Sequence, residues 1–480
     1  MNDGSDLDSR RSHPRRSAVE EDPGSRNGQD ANDSEPEGSR SPKARSDRAV
    51  YWDTTGDGRD VAELFEESKL DPEAVKIVRR LARHGHEAYL VGGCVRDLLL
   101  EQEPKDFDVA TSATPSQIRR LFRNCRIIGR RFKLAHIFFG DKIIEVSTFR
   151  ALPSGKDDDS SDLLIRRDNE FGTPEEDAIR RDFTVNGLFY DVDACQVIDH
   201  IHGVEDIQRR MLRTIGDPDV RIQEDPVRIL RAVKFAARLD LDIDPETWDA
   251  MERHRRDLDR CAVPRVTEEI SRLLNGGTAT RAFEMLSECG VLEVLLPEVA
   301  EYLGRADEAS VNRFWVFLRC LDLLRNKLGP LRNHFLFGTV LSHLVLESMT
   351  ADRTRDQILQ LDWGTEAGSV LKPIAVRMNL SRLDTDRMRQ MLAAQRRFLY
   401  PSKRRASNTT FMRRPYFADA FELFRFYVAA NAELRDEEAR WLERIAQFES
   451  REGYCPVTRL VRPQNGEKKS SERPRRRQRR

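Results

Sequence analysis

The sequence predicts an α+β fold, in which a small sheet-containing head is followed by a long all-helical region. Three observations favour this fold. Between residues 72 and 149, segments with helical apolar spacing alternate with short apolar runs typical of strands. From about residue 205 onward nearly every segment has helical spacing, interrupted by Pro and Gly. The 480 residues are 39% hydrophobic and 34% charged, a length and composition typical of two to four domains.

The head is predicted element by element. PEAVKIVRRLARHG (72–85) has the spacing of a helix that ends at a glycine, EAYLVGG (87–93) that of a short buried strand, and CVRDLLL (94–100) resumes a helix. A further helix is predicted at about 115–123, and residues 151–178 are charged and aperiodic, which predicts a mobile loop. Further strand signals occur at 107–111, 126–129, 134–139 and 142–149.

The two ends of the chain differ from its middle. Residues 1 to about 60 are nearly free of aliphatic side chains, so we expect them to be disordered. The stretch GEKKSSERPRRRQRR (466–480) holds eight Lys or Arg against two Glu. It is either a solvated tail or a flexible arm for RNA phosphates, whose binding would weaken with salt.

Several classes of protein are disfavoured. No run approaches the roughly 18 apolar residues of a transmembrane helix, and the first residues lack a secretory apolar core. The seven cysteines are odd in number and scattered, without a Cys-x-x-Cys pair. We therefore expect reduced thiols, no zinc site and a cytoplasmic location.

The stretch KDFDVATSA (105–113) has the period-2 pattern of a half-buried strand. One face would carry Asp106 and Asp108, two like charges about 7 Å apart, although aspartate is depleted in strands. A divalent cation would relieve their repulsion, and hard oxygen ligands suit Mg²⁺. Taken alone, an Asp-x-Asp pair is better explained by a strand end that faces water. The neighbouring motifs shift the balance toward a metal site.

The stretch LVGGCVRD (90–97) lies just upstream and predicts a strand, two glycines and a helix start. Gly92 and Gly93 let the backbone approach a phosphate, and the first helical turn offers unpaired N–H groups. Arg96 can add a charge-assisted contact, with Asp97 holding its guanidinium. A Gly-Gly turn alone is more often structural. Its position shortly before the carboxylate pair favours a phosphate-binding role.

Two further stretches carry clustered polar side chains. In AIRRDFTVNGLFYD (178–191), two arginines and an aspartate are followed by an asparagine, which indicates either a polar site or an exposed, ion-paired helix end: Arg180, Arg181, Asp182 and Asn186. In EDPVRILRAVKFAARL (224–239), we expect Asp225 and Arg228 on one helical face. An acceptor beside a donor matches the edge of adenine or cytosine, and a simple i, i+3 ion pair is the alternative.

These four stretches, in this order, resemble the class II nucleotidyltransferases, the family of bacterial poly(A) polymerases and CCA-adding tRNA nucleotidyltransferases. The resemblance is strong from about residue 72 to 300 and looser beyond. It implies that Asp106 and Asp108 are catalytic Mg²⁺ ligands, that Asp182 is a catalytic neighbour and that Glu145 supports the metals. It also implies a set of nucleotide-binding residues, of which the last two select the base: Gly92, Gly93, Arg96, Arg180, Arg181, Asn186, Asp225 and Arg228.

The resemblance also implies a domain plan and an activity. The plan is a disordered arm (1–65), a nucleotidyltransferase head (66–200), a helical neck (201–265), an RNA-binding body (266–455) and a basic tail (456–480). The activity is template-independent addition of AMP from ATP to RNA 3′ ends of mRNA and other transcripts, with release of pyrophosphate. CCA addition to tRNA is the alternative, and a catalytically inactive RNA-binding relative is a more distant one.

The stretch IIGRRFKLAHIFFG (127–140) favours poly(A) synthesis over CCA addition. It resembles the poly(A) polymerases in its basic Gly-Arg-Arg-Phe-Lys-Leu-x-His run, which CCA-adding relatives generally lack. Arg130, Arg131 and Lys133 would set three cations near the active site, where they could contact an RNA backbone of any sequence. The alternative is a charged hairpin between two core strands.

Overall fold

A single mixed β-sheet forms the base of the head. The computed structural model describes residues 49–55, 59–129, 133–152, 171–400 and 408–457. Within these residues the sheet has eight strands: β1 (Val50–Trp52), β2 (Ala88–Val91), β3 (Asp108–Thr111), β4 (Cys125–Ile128), β5 (Leu134–Phe139), β6 (Lys142–Thr148), β7 (Phe189–Asp191) and β8 (Gln196–Asp199). Their order is β1-β8-β7-β2-β3-β6-β5-β4, and β3 and β6 form its parallel pair while the other neighbours are antiparallel.

The central position of β2 follows from its side chains. All four of its residues are buried, with Leu90 in the main core and Tyr89 in a second cluster on the opposite face of the sheet. Helix α2 (Pro72–Arg83), which follows the short α1 (Val61–Leu64), and α3 (Gly93–Leu99) pack against β2, while α4 (Pro115–Leu121) packs against β4 and β5. The predicted strand-turn-helix from β2 to α3 is thereby confirmed.

The remainder of the described chain is almost entirely helical, as expected from its apolar spacing. Two short strands, β9 (Met211–Leu212) and β10 (Asp242–Ile243), pair in parallel. The helices are α5 (Pro174–Ile179), α6 (Gly203–Gln208), α7 (Pro218–Glu224), α8 (Arg228–Leu239), α9 (Pro245–His254), α10 (Val263–Leu274), α11 (Ala279–Glu288), α12 (Leu292–Leu295), α13 (Pro297–Arg305), α14 (Glu308–Leu328), α15 (Asn333–Thr350), α16 (Arg355–Gln360), α17 (Trp363–Arg377), α18 (Arg382–Leu399), α19 (Asn408–Met412), α20 (Phe417–Ala430) and α21 (Arg435–Glu452). No helix in the described part of the chain has the length and apolar character needed to cross a lipid bilayer.

The expected disorder up to residue 65 is wrong for its last part. Strand β1 pairs with β8 at the edge of the sheet, and α1 begins at the side-chain cap Asp60. The segment Val50–Trp52 is short but rich in strand-favouring side chains, which the composition of the whole arm conceals. Residues 1–48 and the basic stretch 466–480 lie outside the described residues.

The predicted loop at 151–178 also needs a correction at its end. Helix α5 begins at Pro174, where Thr173 and Glu176 form a capping box. A Pro in the first turn and reciprocal side-chain caps stabilise even a short helix start. A charged, aperiodic composition is typical of a loop, but it does not reveal a local signal for the start of a helix. Residues 153–170 lie outside the described residues.

A buried histidine in the body makes stability dependent on pH. His334 Nε2 lies 3.0 Å from Asp419 Oδ2, and its Nδ1 lies 3.7 Å from Asp384 Oδ1. Burial alone would lower the pKa of His334, but the two carboxylates hold it above its ordinary value. Because the pKa is raised on folding, the resulting stabilisation is present below about pH 6.5 and is lost as pH rises through the folded pKa.

We therefore expect His334→Gln to lower the melting temperature most at about pH 6 and less at pH 8 or above. Thermal unfolding monitored across this pH range measures the difference between wild type and variant. His84→Gln, at an exposed position that ends α2, is the matched control. A difference that grows with rising pH would contradict a charged His334.

Candidate active site

An open cleft of about 900 Å³ lies between the head and helices α8 and α10. It is lined by all of the residues predicted for catalysis and nucleotide binding: Gly92, Gly93, Arg96, Asp106, Asp108, Arg180, Arg181, Asp182, Asn186, Asp225 and Arg228. Ten basic and six acidic side chains contribute to the lining. The surplus of positive charge suits an anionic ligand.

Asp106 and Asp108 share this cleft, although not one strand. Strand β3 begins at Asp108, and Asp106 lies in the irregular segment before it, so the expected position of both on one strand is wrong. Glu145 lines the same cleft from β6, the parallel neighbour of β3. The register of this parallel pair brings a third carboxylate to Asp108, which sequence spacing alone only suggests.

The charge of Asp108 is unfavourable without a ligand. Its side chain is open to the cleft, yet the surrounding protein reduces its hydration and raises its pKa to about 6. The negative charges of Glu145 and Asp106 add to this rise, and Arg181 opposes it. A carboxylate pair in this state gains stability from a bound cation.

This donor set fits a hard divalent cation. Mg²⁺ is usually held by one or two carboxylates, with water and substrate phosphates completing its coordination. Asp106 and Asp108 provide two carboxylates, and in the described part of the chain no group of three or more acidic, His or Cys side chains is arranged as a complete metal site. The site therefore suits an ion that arrives with, or shares, an anionic substrate.

The glycine turn brings the backbone close to the guanidinium group of Arg181. Gly92 has a φ of +69°, which L side chains rarely adopt, and precedes the first residue of α3. A Cβ at Gly92 would lie 2.8 Å from Arg181 Nη1. Glycine is thus required here both for the turn and for the approach of Arg181.

Arg96 is more deeply buried than its predicted contact with a ligand suggests, with only 3% of its surface exposed. Its Nε donates to Asp97 Oδ1 at 2.8 Å, as predicted, and its Nη1 donates to Asn186 Oδ1. Arg238 Nη2 also donates to Asp97, at 3.1 Å. Arg96 therefore links helix α3, which follows the glycine turn, to Asn186, and it contributes positive charge to the lining of the cleft.

The Arg-Arg-Asp cluster is fixed by buried partners, so the alternative of an exposed helix end is wrong. Arg181 Nη2 donates to Asp177 at 3.0 Å, and Asp177 is buried. Asp182 accepts from Arg231 Nε at 2.8 Å and from Asn186 Nδ2 at 3.0 Å. Burial alone would raise the pKa of Asp182, but Arg231 and these hydrogen bonds hold it below its ordinary value.

Asp225 and Arg228 do not lie on one helix. Asp225 follows the last residue of α7, and α8 starts at Arg228, because a residue before Pro226 is disfavoured in the helical region. The alternative of an ion pair between them is not formed either. Arg265 binds both oxygens of Asp225, at 2.7 and 2.6 Å, while Arg228 Nη1 donates to the carbonyl of Arg221.

The predicted role of Asp225 and Arg228 in selecting the base stays a prediction. Both side chains line the cleft, and the described residues leave the Nη2 and Nε groups of Arg228 without a hydrogen-bond partner. A carboxylate also keeps lone pairs when it accepts two hydrogen bonds from Arg265. An amino donor and a ring nitrogen can therefore still meet an acceptor and a donor here.

Sequence reasoning missed several lining residues. Arg231, Phe235 and Arg238 follow Arg228 at spacings of three, four and three, so they share one face of α8, and this spacing was available as a signal. Arg265 had no such signal, because only the packing of α10 against α8 brings it to Asp225. Lys105, Arg150 and Arg272 also line the cleft.

The basic run predicted to bind RNA is only partly described. Lys133 is exposed immediately before β5 and is not among the residues that line the cleft. Arg130 and Arg131 lie outside the described residues. The predicted contact of these three cations with RNA therefore stays a prediction.

Comparisons with known proteins agree with this fold and site. The family model described as "Poly A polymerase head domain" matches residues 88–213, and "Probable RNA and SrmB- binding site of polymerase A" matches residues 240–303. A solved CCA-adding enzyme from Bacillus stearothermophilus, in complex with CTP, has the same fold, with a TM-score of 0.57 at 24% identity over 77% of this chain and 83% of that one. The fold and the cleft thus define a nucleotidyltransferase head joined to a helical region.

The particular family follows from sequence identity. Poly(A) polymerase I of Salmonella typhimurium is 37% identical over 393 residues, which cover 78% of this chain and 82% of that protein. The CCA-adding enzyme of Bacillus subtilis is 35% identical over 226 residues, covering 46% of this chain and 55% of that enzyme. The chain belongs to the bacterial poly(A) polymerase family, to which CCA-adding enzymes are related.

Proposed function

We propose that this protein adds AMP from ATP to the 3′ ends of mRNA and other transcripts without a template, releasing pyrophosphate. The observation that carries the proposal is that one cleft is lined by the carboxylates Asp106 and Asp108, by the glycine turn and by the pair Asp225 and Arg228. Bond formation is between the RNA 3′ oxygen and the α-phosphorus of ATP, and the bond to pyrophosphate breaks. No residue needs to act as a covalent nucleophile.

Binding of the triphosphate rests on the glycine turn and its cations. Gly92 and Gly93 line the cleft, and Arg180 and Arg181 contribute positive charge to the same lining. Asp177 and the carbonyl of Asn186 orient the guanidinium of Arg181, so little side-chain entropy is lost when phosphate binds. Positioning and charge neutralisation account for most of the catalysis in phosphoryl-type transfer.

Asp106 and Asp108 would hold Mg²⁺, and Glu145 would support it. Bound there, the ion would supply Lewis-acid polarisation of the phosphate oxygens. The chain's own contribution is the placement of these carboxylates just before β3, at its first residue and in the middle of β6, in the same cleft as the cations of the glycine turn. Lys133, with Arg130 and Arg131, would contact the RNA backbone.

Selection of the base rests on Asp225 and Arg228. Arg265 fixes the orientation of Asp225, and Arg228 lines the same cleft. An acceptor next to a donor fits adenine and cytosine equally, so these residues do not separate ATP from CTP. The preference for poly(A) is supported by the extent of identity to poly(A) polymerase I, which exceeds that to the CCA-adding enzyme.

The test offers purified protein and Mg²⁺ one nucleotide at a time, with either a generic oligonucleotide or a tRNA trimmed of its CCA end. A long adenosine ladder on the generic RNA with ATP alone is the expected result. Restoration of CCA on the trimmed tRNA, without extension of the generic RNA, would assign CCA addition instead. Binding of RNA without any incorporation would indicate an inactive relative.

We expect Arg228→Ala to reduce discrimination against GTP and UTP about tenfold or more, because one well-placed base contact contributes about 1–3 kcal/mol. The KM for ATP should change less, since the phosphate contacts remain. Initial rates with each nucleotide measure both quantities. Arg209→Ala, an exposed arginine paired to Glu205 on α6, is the control. Retention of the full preference in Arg228→Ala would show that the residue is only structural.

A further inference from the structure

A second open cleft lies in the helical body, and we call it the body cleft. It has a volume of about 550 Å³ and is formed by the start of α17, the C-terminal half of α18 and the α19–α20 junction. Neither of the two matching family models, which cover residues 88–213 and 240–303, reaches these helices.

The body cleft has an excess of positive charge. Four arginines line it, Arg389, Arg396, Arg397 and Arg414, against one carboxylate, Asp362, which caps the first turn of α17 with its side chain. Arg389 pairs with an aspartate on its own helix. Within the described residues, neither Arg397 nor Arg414 forms an ion pair with a carboxylate. Two cations are therefore left to face an external anion.

The position of Arg397 is defined by an aromatic neighbour. The guanidinium carbon of Arg397 lies 4.4 Å from the centre of the Phe411 ring. Burial lowers the pKa of Arg397 below its ordinary value, and the charges of Arg396 and Arg414 add to the lowering. Arg397 nevertheless remains a cation at neutral pH. Arg414 is exposed, and the half-buried ring of Tyr416 lines the same wall.

Guanidinium groups beside an aromatic ring match a strand in which phosphates alternate with bases. Arginine pairs with phosphate oxygens, and a partly exposed aromatic side chain such as Tyr416 can stack on a base of any sequence. An acidic peptide would satisfy the charges but would leave the ring without a matching planar group. We propose that the body cleft is a second RNA subsite, which holds the backbone and one stacked base of the substrate upstream of its 3′ end. The proposal rests on the proposed function, because it takes RNA as the substrate.

The length of α17 gives the spacing between the two sites. Thr267 on α10 donates to the carbonyl of Met378 at 2.7 Å, just beyond the end of α17, and α10 also carries the cleft residue Arg265. The other end of α17 forms the body cleft, and its 15 residues span about 22 Å. At about 3.4 Å for each stacked nucleotide, this distance needs about seven nucleotides. A shorter primer would occupy the active site alone.

The experiment measures binding of fluorescent oligoadenylates of about five and about 20 nucleotides, by anisotropy over a range of salt concentrations. Arg414→Gln and the double variant with Arg397→Gln should weaken binding of the long RNA about tenfold and lower its salt slope by about 0.7 for each lost phosphate contact. Binding of the short RNA should change less than twofold. Arg413→Gln is the matched control, because Arg413 pairs with Glu452 and does not line the cleft. Melting temperatures of all variants report whether the fold is retained.

Tyr416→Leu keeps apolar volume but removes the ring, so it should weaken binding of the long RNA without changing the salt slope. Equal effects on short and long RNA, or no effect on either, would overturn the proposal. Loss of affinity for a polyglutamate peptide, with RNA binding unchanged, would overturn it in favour of a protein-docking site. Absence of primer extension by the wild type would refute the proposed function, whereas the binding measurement would still decide the role of the body cleft.

Discussion

Replacement of Asp108 by Asn is expected to reduce nucleotide incorporation by about three orders of magnitude or more, since loss of one preorganised charge at a reacting phosphate has effects of this size. Asp108 lies at the start of β3, where reduced hydration and the charges of Glu145 and Asp106 raise its pKa to about 6. The neutral amide removes a ligand for the cation and also removes this repulsion. The variant should therefore lose activity without losing stability.

Two measurements separate these effects. Primer extension with ATP and Mg²⁺ gives the rate, and thermal unfolding in EDTA gives a melting temperature that should equal or exceed that of the wild type. Asp193→Asn removes an exposed acid that lies 3.6 Å from Arg79 and outside the cleft, so it should leave the rate unchanged. Near-wild-type turnover of Asp108→Asn would refute the assignment of the metal site. A large fall in its melting temperature would show that the carboxylate has a structural role.

The parts of the site that the sequence predicts are those held together by local structure. Gly92 and Gly93 follow a buried strand and begin a helix, and this pattern is written in consecutive residues. Asp106 and Asp108 likewise remain close together despite the later start of β3, because only Phe107 separates them. Features of this kind depend on neighbouring residues in the sequence and not on the packing of distant segments.

Contacts between distant segments depend on tertiary packing, which the local sequence pattern does not reveal. Nothing near Asp225 indicates that its partner is Arg265, 40 residues further along the chain. The pairing of Asp182 with Arg231 likewise depends on how α8 packs against the head. Strand β1 is not predicted from the sequence for the same reason, because its three residues form a strand only by pairing with β8 at the edge of the sheet.

The pairing of Asp182 with Arg231 supports the second large prediction, which is that Arg231→Met destabilises the protein by about 3–5 kcal/mol. Arg231 Nη2 lies 2.5 Å from Asp182 Oδ2, and the side chain of Asp182 is 11% exposed. Without the positive charge of Arg231, Asp182 would remain a buried and unpaired anion. In the wild type the pKa of Asp182 is lowered, so its stabilising contribution is present above about pH 3.8 and is lost as pH falls.

The loss of stability should accordingly be larger at pH 7 than at pH 4, because the unpaired Asp182 of the variant can take up a proton in acid. Denaturant unfolding at both pH values measures this difference. Arg253→Met is the matched control: Arg253 lies 2.8 Å from Asp219, but that pair is exposed, and such pairs contribute about 1 kcal/mol or less. In the double variant Arg231→Met with Asp182→Asn, neither charge is left, so stability should recover in part while incorporation stays low. Recovery of both stability and activity would show that the pair only holds α8 against the head.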